Sequence, residues 1–284
     1  MRRAAICLAF FCACVAGPVA PKKPARLLAG LLHLSETARL RLDKDVEPAR
    51  QCIPLLAGLL AEIRPLVAAE RGPRAMEILA DFLFEQKGYT REVVDDDLQF
   101  MLLPWVLEHR RGSCLGLAGV FLVMARELGI EAQGVLVPGH FFLRSEGESG
   151  HVNFELLRRG ERMPDEWYLE KWQVPQANPD YMRKLSDSEV LAVLRFNLAN
   201  AFRKEKRWGA ASDLYEQAIA GLEGMARAHA NLGLIYQMLG ELRRSERAYL
   251  RAAELHPGLE GLEENLRVLK LRAPPRQDEE QQHE

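Results

Sequence analysis

The chain has 284 residues, is 48% hydrophobic and 27% charged, and carries a formal net charge of −2. These values fit a soluble globular protein of one large domain or two small ones. Near-neutral charge, with no basic groove pattern interleaved with aromatics, argues against nucleic acid or an anionic lipid surface as the partner.

The first twenty residues read as an export signal. Met1-Arg2-Arg3 is cationic, residues 4–15 are an apolar run, and Gly17 and Ala20 are small residues suited to cleavage. The run is too short for a comfortable bilayer span. An exported protein of the periplasm or cell envelope is therefore expected. Cys14, after Ala13, is a candidate lipid-modified cysteine, which would add membrane attachment. Cys7 and Cys12 also lie in this leader, so the mature chain keeps Cys52 and Cys114. That is no disulfide framework. Cys52 lies in an apolar helix and reads as a small buried residue. With no Cys-x-x-Cys, no His-Glu-x-x-His and scattered histidines, neither a metal nor a cofactor is expected.

Residues 22–90 read as helices. Leu27, Leu28, Leu31 and Leu32 recur at helical spacing, as do Leu55, Leu56, Leu59, Leu60 and Ile63. Gly72-Pro73 is a break, and a further apolar helix ends at Lys87-Gly88. Phe100, Leu102, Leu103, Val106 and Leu107 predict one helical face that Gly112 closes. A helix over 114–128 follows, capped by Gly129 and apolar nearly all round, so it should be buried. The period then changes. Strands are expected over 131–137, 140–144 and 151–157, with a turn over 145–150. A buried helix followed by antiparallel strands defines an α+β arrangement. Residues 161–187 read as an irregular segment draped over this domain.

The chemistry concentrates at Cys114, His140 and Glu155. Cys114 opens a helix, where the N-terminus favours thiolate over thiol. His140 follows Pro138-Gly139 in the next strand, where an imidazole could act as base. Glu155 supplies an acidic strand position able to fix the imidazole tautomer. The Cys114 backbone N–H is the natural first oxyanion donor, with Gln99 and Trp105 as side-chain candidates by position.

Residues 188–257 carry an internal repeat. Leu198, Ala199, Phe202, Ala211, Tyr215 and Ala218 recur 34 positions later as Leu232, Gly233, Tyr236, Ser245, Tyr249 and Ala252. This is the tetratricopeptide pattern, with small residues where two helices touch and aromatics where they interlock. Leu262, Leu266 and Leu269 suggest a capping helix, and residues 273–284 a polar, disordered tail. Two repeats rarely stand alone, so they are expected to pack on the Cys-His domain. The expected division is signal 1–20, catalytic-type domain with a helical N-terminal portion 22–187, repeats and cap 188–272, and tail 273–284.

Glu108 with Arg110-Arg111-Gly112, Cys114, Leu128-Gly129 and Pro138-Gly139-His140-Phe141-Phe142, together with the repeats, resembles the bacterial transglutaminase-like proteins that end in tetratricopeptide repeats. Leu185-Ser186-Asp187, with Leu194 and Asn197-Leu198, is similar to the junction in those proteins. The resemblance covers the chain from about residue 40 to about residue 270. It implies a papain-like α+β core with a Cys-His-Asp triad, in which Cys114 matches the nucleophile and His140 the base. Glu155 stands where Asp is usual and no Pro follows it. Asn153, on the same strand face, is the alternative third member.

The expected function is an exported cysteine hydrolase or acyl-transfer enzyme. It would act on a peptide or amide bond, with the repeats holding a protein or peptide. The alternative is a catalytically inactive transglutaminase-like scaffold that binds a protein partner through its repeats.

Overall fold

A computed structural model describes residues 26–42, 48–92, 97–148, 150–176 and 178–272. The expected export signal, Cys14 and the polar tail lie outside the described residues.

The chain opens with α1 (Arg26–Leu42), α2 (Cys52–Val67) and α3 (Gly72–Asp81). Pro73 enters at the start of α3, where a missing N–H costs no intrahelical bond. A wider turn over Phe82–Gln86 ends at Lys87, and Gly88 takes the left-handed conformation (φ 72°) that stops the helix. The single helix expected before Gly112 is instead broken. A 3-10 turn (Leu98–Met101) is capped by Asp97, whose carboxylate accepts from Gln99 N. Pro104 then starts the short helix α4 (Leu103–His109). Arg110 is left-handed (φ 56°), and β1 (Thr90–Arg91) pairs in parallel with β2 (Arg111–Gly112).

Helix α5 (Cys114–Leu128) matches its expected bounds and is closed by Gly129 at φ 72°. It is buried over its first three turns, and core packs around it. Beside it runs an antiparallel sheet of β3 (Gln133–Val137), β4 (His140–Gly147), β5 (Gly150–Glu155), β6 (Glu161–Met163) and β7 (Lys184–Leu185), ordered β6-β5-β4-β3-β7. Pro138-Gly139 joins β3 to β4, with Gly139 at φ 74°, the conformation a Pro-Gly type II turn requires. Strand β5 stops two residues earlier than expected because the Glu155 side chain accepts from Leu157 N (2.9 Å) and starts a 3-10 turn. Residues 161–187, expected to be irregular, hold β6, β7 and α6 (Asp165–Lys171). Alternation divides the sheet. Phe141, Leu143 and Phe154 enter the main core with α5, while Val135, Val137 and Phe142 pack with Tyr168 of α6 on the opposite face.

The C-terminal part is helical: α7 (Asp187–Lys204), α8 (Trp208–Gly221), α9 (Ala226–Met238), α10 (Leu242–Leu255) and α11 (Leu262–Arg272). Helices α7 and α8 pack as one hairpin, α9 and α10 as another. A Cβ on Gly233 would lie 2.6 Å from the Tyr249 ring, so the small residue sets how closely α9 and α10 approach. A continuous apolar core runs from Leu27 in α1 to Ala248 in α10 and so joins the sheet-containing part to the hairpins. Polar contacts reinforce that seam. Arg126 grips Asp187 through Nε and Nη2 (3.1 and 2.8 Å), and Asn178 donates to the carbonyls of Gly224 (2.7 Å) and Leu255 (3.2 Å).

Candidate active site

Cys114 is the first residue of α5, so its amide lies outside the intrahelical ladder. Ser113 is extended and caps the helix, its hydroxyl accepting from Gly116 N (3.3 Å). Ser113 N donates to Phe100 O (2.9 Å), which draws the 98–101 turn onto the first turn of α5. A Cβ on Gly116 would sit 2.0 Å from that same carbonyl, so only glycine permits this approach. The thiol is therefore placed by backbone contacts on two sides. Cys114 and Cys52 both keep thiols and form no disulfide. Burial pushes the Cys52 thiol up to about 11, which makes it unreactive at neutral pH.

His140 is the first residue of β4, and Glu155 closes β5 diagonally across from it. His140 Nε2–H donates to Glu155 Oε2 at 2.7 Å, and the two side chains are 4% and 2% exposed. Both carboxylate oxygens are used, since Oε1 accepts from Leu157 N. This leaves Nδ1 as the basic nitrogen of the imidazole. The ring lies flat on the Trp172 indole, centroids 4.3 Å apart and planes 7° apart. The Lys171 ammonium sits 4.6 Å from the Trp172 ring centroid. Tyr168 packs beneath, flat against Phe142 at 3.7 Å. Burial, with the Glu155 carboxylate nearby, holds its phenol well above the usual value, so it stays neutral.

Asn153 does not join this pair. Its Oδ1 accepts from Arg144 Nε (2.7 Å), and its Nδ2 donates to Met163 O (3.1 Å) and Asp165 Oδ1 (2.6 Å). Arg144 Nη2 completes the cluster on Asp165 Oδ1 (2.6 Å). Burial lowers the Arg144 pKa, and the Asp165 charge opposes that shift. Asn153 faces its cross-strand neighbour Arg144, four residues beyond His140, and its role is to anchor the start of α6. The two side-chain oxyanion candidates also lie elsewhere. Trp105 stacks on His109 (4.3 Å) and meets Phe100 edge-on (4.8 Å), Gln99 belongs to the 3-10 turn, and neither lines the cavity at Cys114.

Cys114 and His140 line one cavity of about 470 Å³, joined by Asp97 and Ser113. Its other lining comes from α7 and α9, with Asn197, Asn200, Arg203, Arg227 and Asn231. Sequence reasoning missed Trp172 and Tyr168 as supports of the imidazole, and it missed this helical contribution. One signal was present: Asn197 and Asn231 stand 34 residues apart, in register with the repeat. Among the described residues no group of three or more His, Cys, Asp or Glu is placed to hold a metal ion, and no helix is long and apolar enough to cross a membrane.

A thiol at a helix start, a buried imidazole-carboxylate pair and an antiparallel sheet beside the thiol-bearing helix are the arrangement of a transglutaminase-like core. The chain belongs to the transglutaminase-like superfamily, whose sequence model matches residues 50–194. It is similar to a UPF0162 protein of Xylella fastidiosa (strain 9a5c), 25% identical over 194 residues, which are 65% of this chain and 69% of that one. A UPF0162 protein of Pseudomonas aeruginosa is 35% identical over 111 residues, 37% of this chain and 41% of its own length. Among solved structures, menin, described with its binding site for Mixed Lineage Leukemia (MLL) protein, matches 79% of this chain and 70% of its own. The TM-score is 0.42 and the identity 15%.

Proposed function

We propose that the cavity is the active site of a cysteine hydrolase or acyl-transfer enzyme acting on a peptide or amide bond. The observation that carries this reading is the buried 2.7 Å His140–Glu155 pair at the cavity that Cys114 also lines. Cys114 Sγ adds to the carbonyl carbon while its proton passes to His140 Nδ1. The tetrahedral oxyanion is met by the Cys114 amide. The C–N bond then breaks, the imidazolium protonates the departing amine, and a thioester remains. Water, deprotonated by His140, attacks the thioester and restores the thiol; an amine in its place would complete a transfer. Hydrolysis is the simpler course, because it needs no second substrate site. Glu155 holds the imidazole in the tautomer with Nδ1 unprotonated and stabilises the imidazolium.

The helical C-terminal part, in this reading, consists of two tetratricopeptide repeats and a capping helix that hold a protein or peptide. The 34-residue spacing supports it, as do the buried Ala211, Tyr215 and Ala218 with their counterparts Ser245, Tyr249 and Ala252. Export to the periplasm or cell envelope, supported by the order of charge and apolar residues at the N-terminus, completes the proposal.

The test is the rate of Cys114 alkylation by iodoacetamide against pH, in the mature protein and in its His140→Ala variant. The expected result is a thiolate forming well below the free-cysteine value of about 8.5, and its loss in the variant. An ordinary thiol, unchanged by His140→Ala, would overturn the proposal.

A further inference from the structure

The cavity's two walls differ in what their polar groups have left to offer. On the core side, His140 and Glu155 satisfy one another, and Asp97 accepts from Gln99 N. On the helical side, Asn200 Oδ1 accepts from the Tyr215 hydroxyl and from Asn231 Nδ2 (2.9 Å), while Asn231 Nδ2 also reaches the Tyr215 oxygen (3.1 Å). Asn197 Nδ2 is spent on Val193 O (2.9 Å). Arg203 lies against this network. Burial raises the Tyr215 phenol to about 12, and the Arg203 charge works against that rise. The guanidinium hydrogen-bonds the Tyr215 hydroxyl, while its Nε is shut from solvent with no hydrogen-bond partner. A guanidinium stays charged at any physiological pH, and a buried N–H without an acceptor is costly. Arg227, from α9, adds an exposed cation to the lining, as does Lys204 at the end of α7. Among the described residues neither arginine has a carboxylate within salt-bridge distance. The acidic groups of the lining are Asp97, committed to the 98–101 turn, and Glu205, exposed at the end of α7.

We infer that α7 and α9 form an anion subsite, anchored by Arg203 and assisted by Arg227, that selects acyl substrates carrying a carboxylate. The inference rests on the acyl-transfer reading of Cys114 for its use, but not for its binding. The cavity, about 470 Å³ and lined by Cys114, Arg203 and Arg227, is large enough for an acyl chain of a few carbons. A carboxylate there would accept from the Arg203 and Arg227 guanidiniums, which have no carboxylate partner among the described residues, in a charge-assisted hydrogen bond. Reaction at Cys114 and recognition at Arg203 thus fall to opposite walls.

The test separates binding from chemistry. Binding is measured by calorimetry on the full-length Cys114→Ala protein with two unreactive probes of equal length, glutaranilic acid and valeranilide. The acid is expected to bind about tenfold tighter, the size of one charge-assisted hydrogen bond. The preference should fall to near one in Arg203→Gln, persist in part in Arg203→Lys, and shrink as salt is raised from about 0.05 to about 0.5 M. Equal binding of the two probes, or a preference that Arg203→Gln leaves intact, overturns the inference. If Arg203→Gln does not fold, Arg227→Gln and the salt series decide it by the same criterion.

Chemistry is measured as acylation of Cys114 by 4-nitrophenyl hydrogen glutarate and by 4-nitrophenyl valerate. The sulfur–carbon bond forms, the carbon–oxygen bond breaks, 4-nitrophenolate leaves with the electron pair, and the thiol proton remains on His140. Faster acylation by the glutarate ester is expected. A binding preference without any acylation would remove the catalytic reading and leave the anion subsite. Acylation without a preference would do the reverse.

Discussion

The two walls of the cavity are built on different principles. The core wall is closed: Ser113, Gly116 and Phe100 place the thiol through backbone contacts, and His140 and Glu155 are buried together. The helical wall is open: α7 and α9 bring amides and arginines to the lining, and Arg203 Nε has no acceptor. On the proposed reading, groups that must keep a fixed geometry for proton transfer are satisfied inside the protein, whereas groups that recognise a ligand keep capacity in reserve.

The sharpest way to break this comparison is at the closed wall. Glu155→Ala strands a buried imidazole and should cost about 3–5 kcal/mol of stability in urea unfolding. Glu155→Gln should fold and still slow Cys114 alkylation. A Glu155→Gln protein that alkylates like wild type would mean that the carboxylate does not act on the imidazole. Next is Gly116→Ala. The added methyl meets the Phe100 carbonyl backbone, which cannot swing aside as a side chain can, and a loss of about 3 kcal/mol is expected. A loss under about 0.5 kcal/mol would show that the 98–101 turn yields easily and does not hold the thiol.

A smaller effect tests the seam between core and hairpins. Asn178→Leu removes the donor that serves the Gly224 and Leu255 carbonyls, and should cost about 2 kcal/mol. Calorimetry should still show one cooperative transition, because the apolar core is continuous from Leu27 to Ala248. Two separate transitions in the wild type would show that core and hairpins unfold independently.

The smallest effect is the acid response of the cap on α7. Burial opposes ionisation of Glu189, but Arg183 and the Ser186 amide and hydroxyl outweigh it and hold its pKa at about 2. Because the folded value lies below the unfolded one, the stabilisation is complete above about pH 4.5 and is lost as pH falls toward 2. Glu189→Gln should flatten that part of the stability profile measured by urea unfolding from pH 5 to pH 2. An unchanged profile would show that the capping box contributes nothing in solution.

Several elements were legible because the cause is local. Helix α5 is announced by its closing glycine and an unbroken apolar run. The Pro-Gly turn places His140 at the start of a strand, and the 34-residue spacing pairs the hairpins. The helix expected before Gly112 was not legible, because Asp97 and Pro104 divide it through capping and a missing N–H that apolar periodicity does not register. The segment 161–187 read as irregular because its strands are very short and its helix has seven residues, too few for a period to show.

The site divides in the same way. Residue type and order proposed Cys114, His140 and Glu155; the structure sets His140 against Glu155 and has Cys114 line the same cavity as His140. Strand alternation puts Asn153 and Glu155 on one face, with Glu155 the first choice and Asn153 the alternative. Only the pairing of β4 with β5 sets Glu155 diagonal to His140 and Asn153 opposite Arg144. The same holds for Trp172 against the imidazole and Arg203 in the cavity lining, which lie 32 and 63 residues beyond His140. Contacts of that separation are set by how helices pack on a sheet, where burial of apolar surface decides and sequence neighbours carry no record of it.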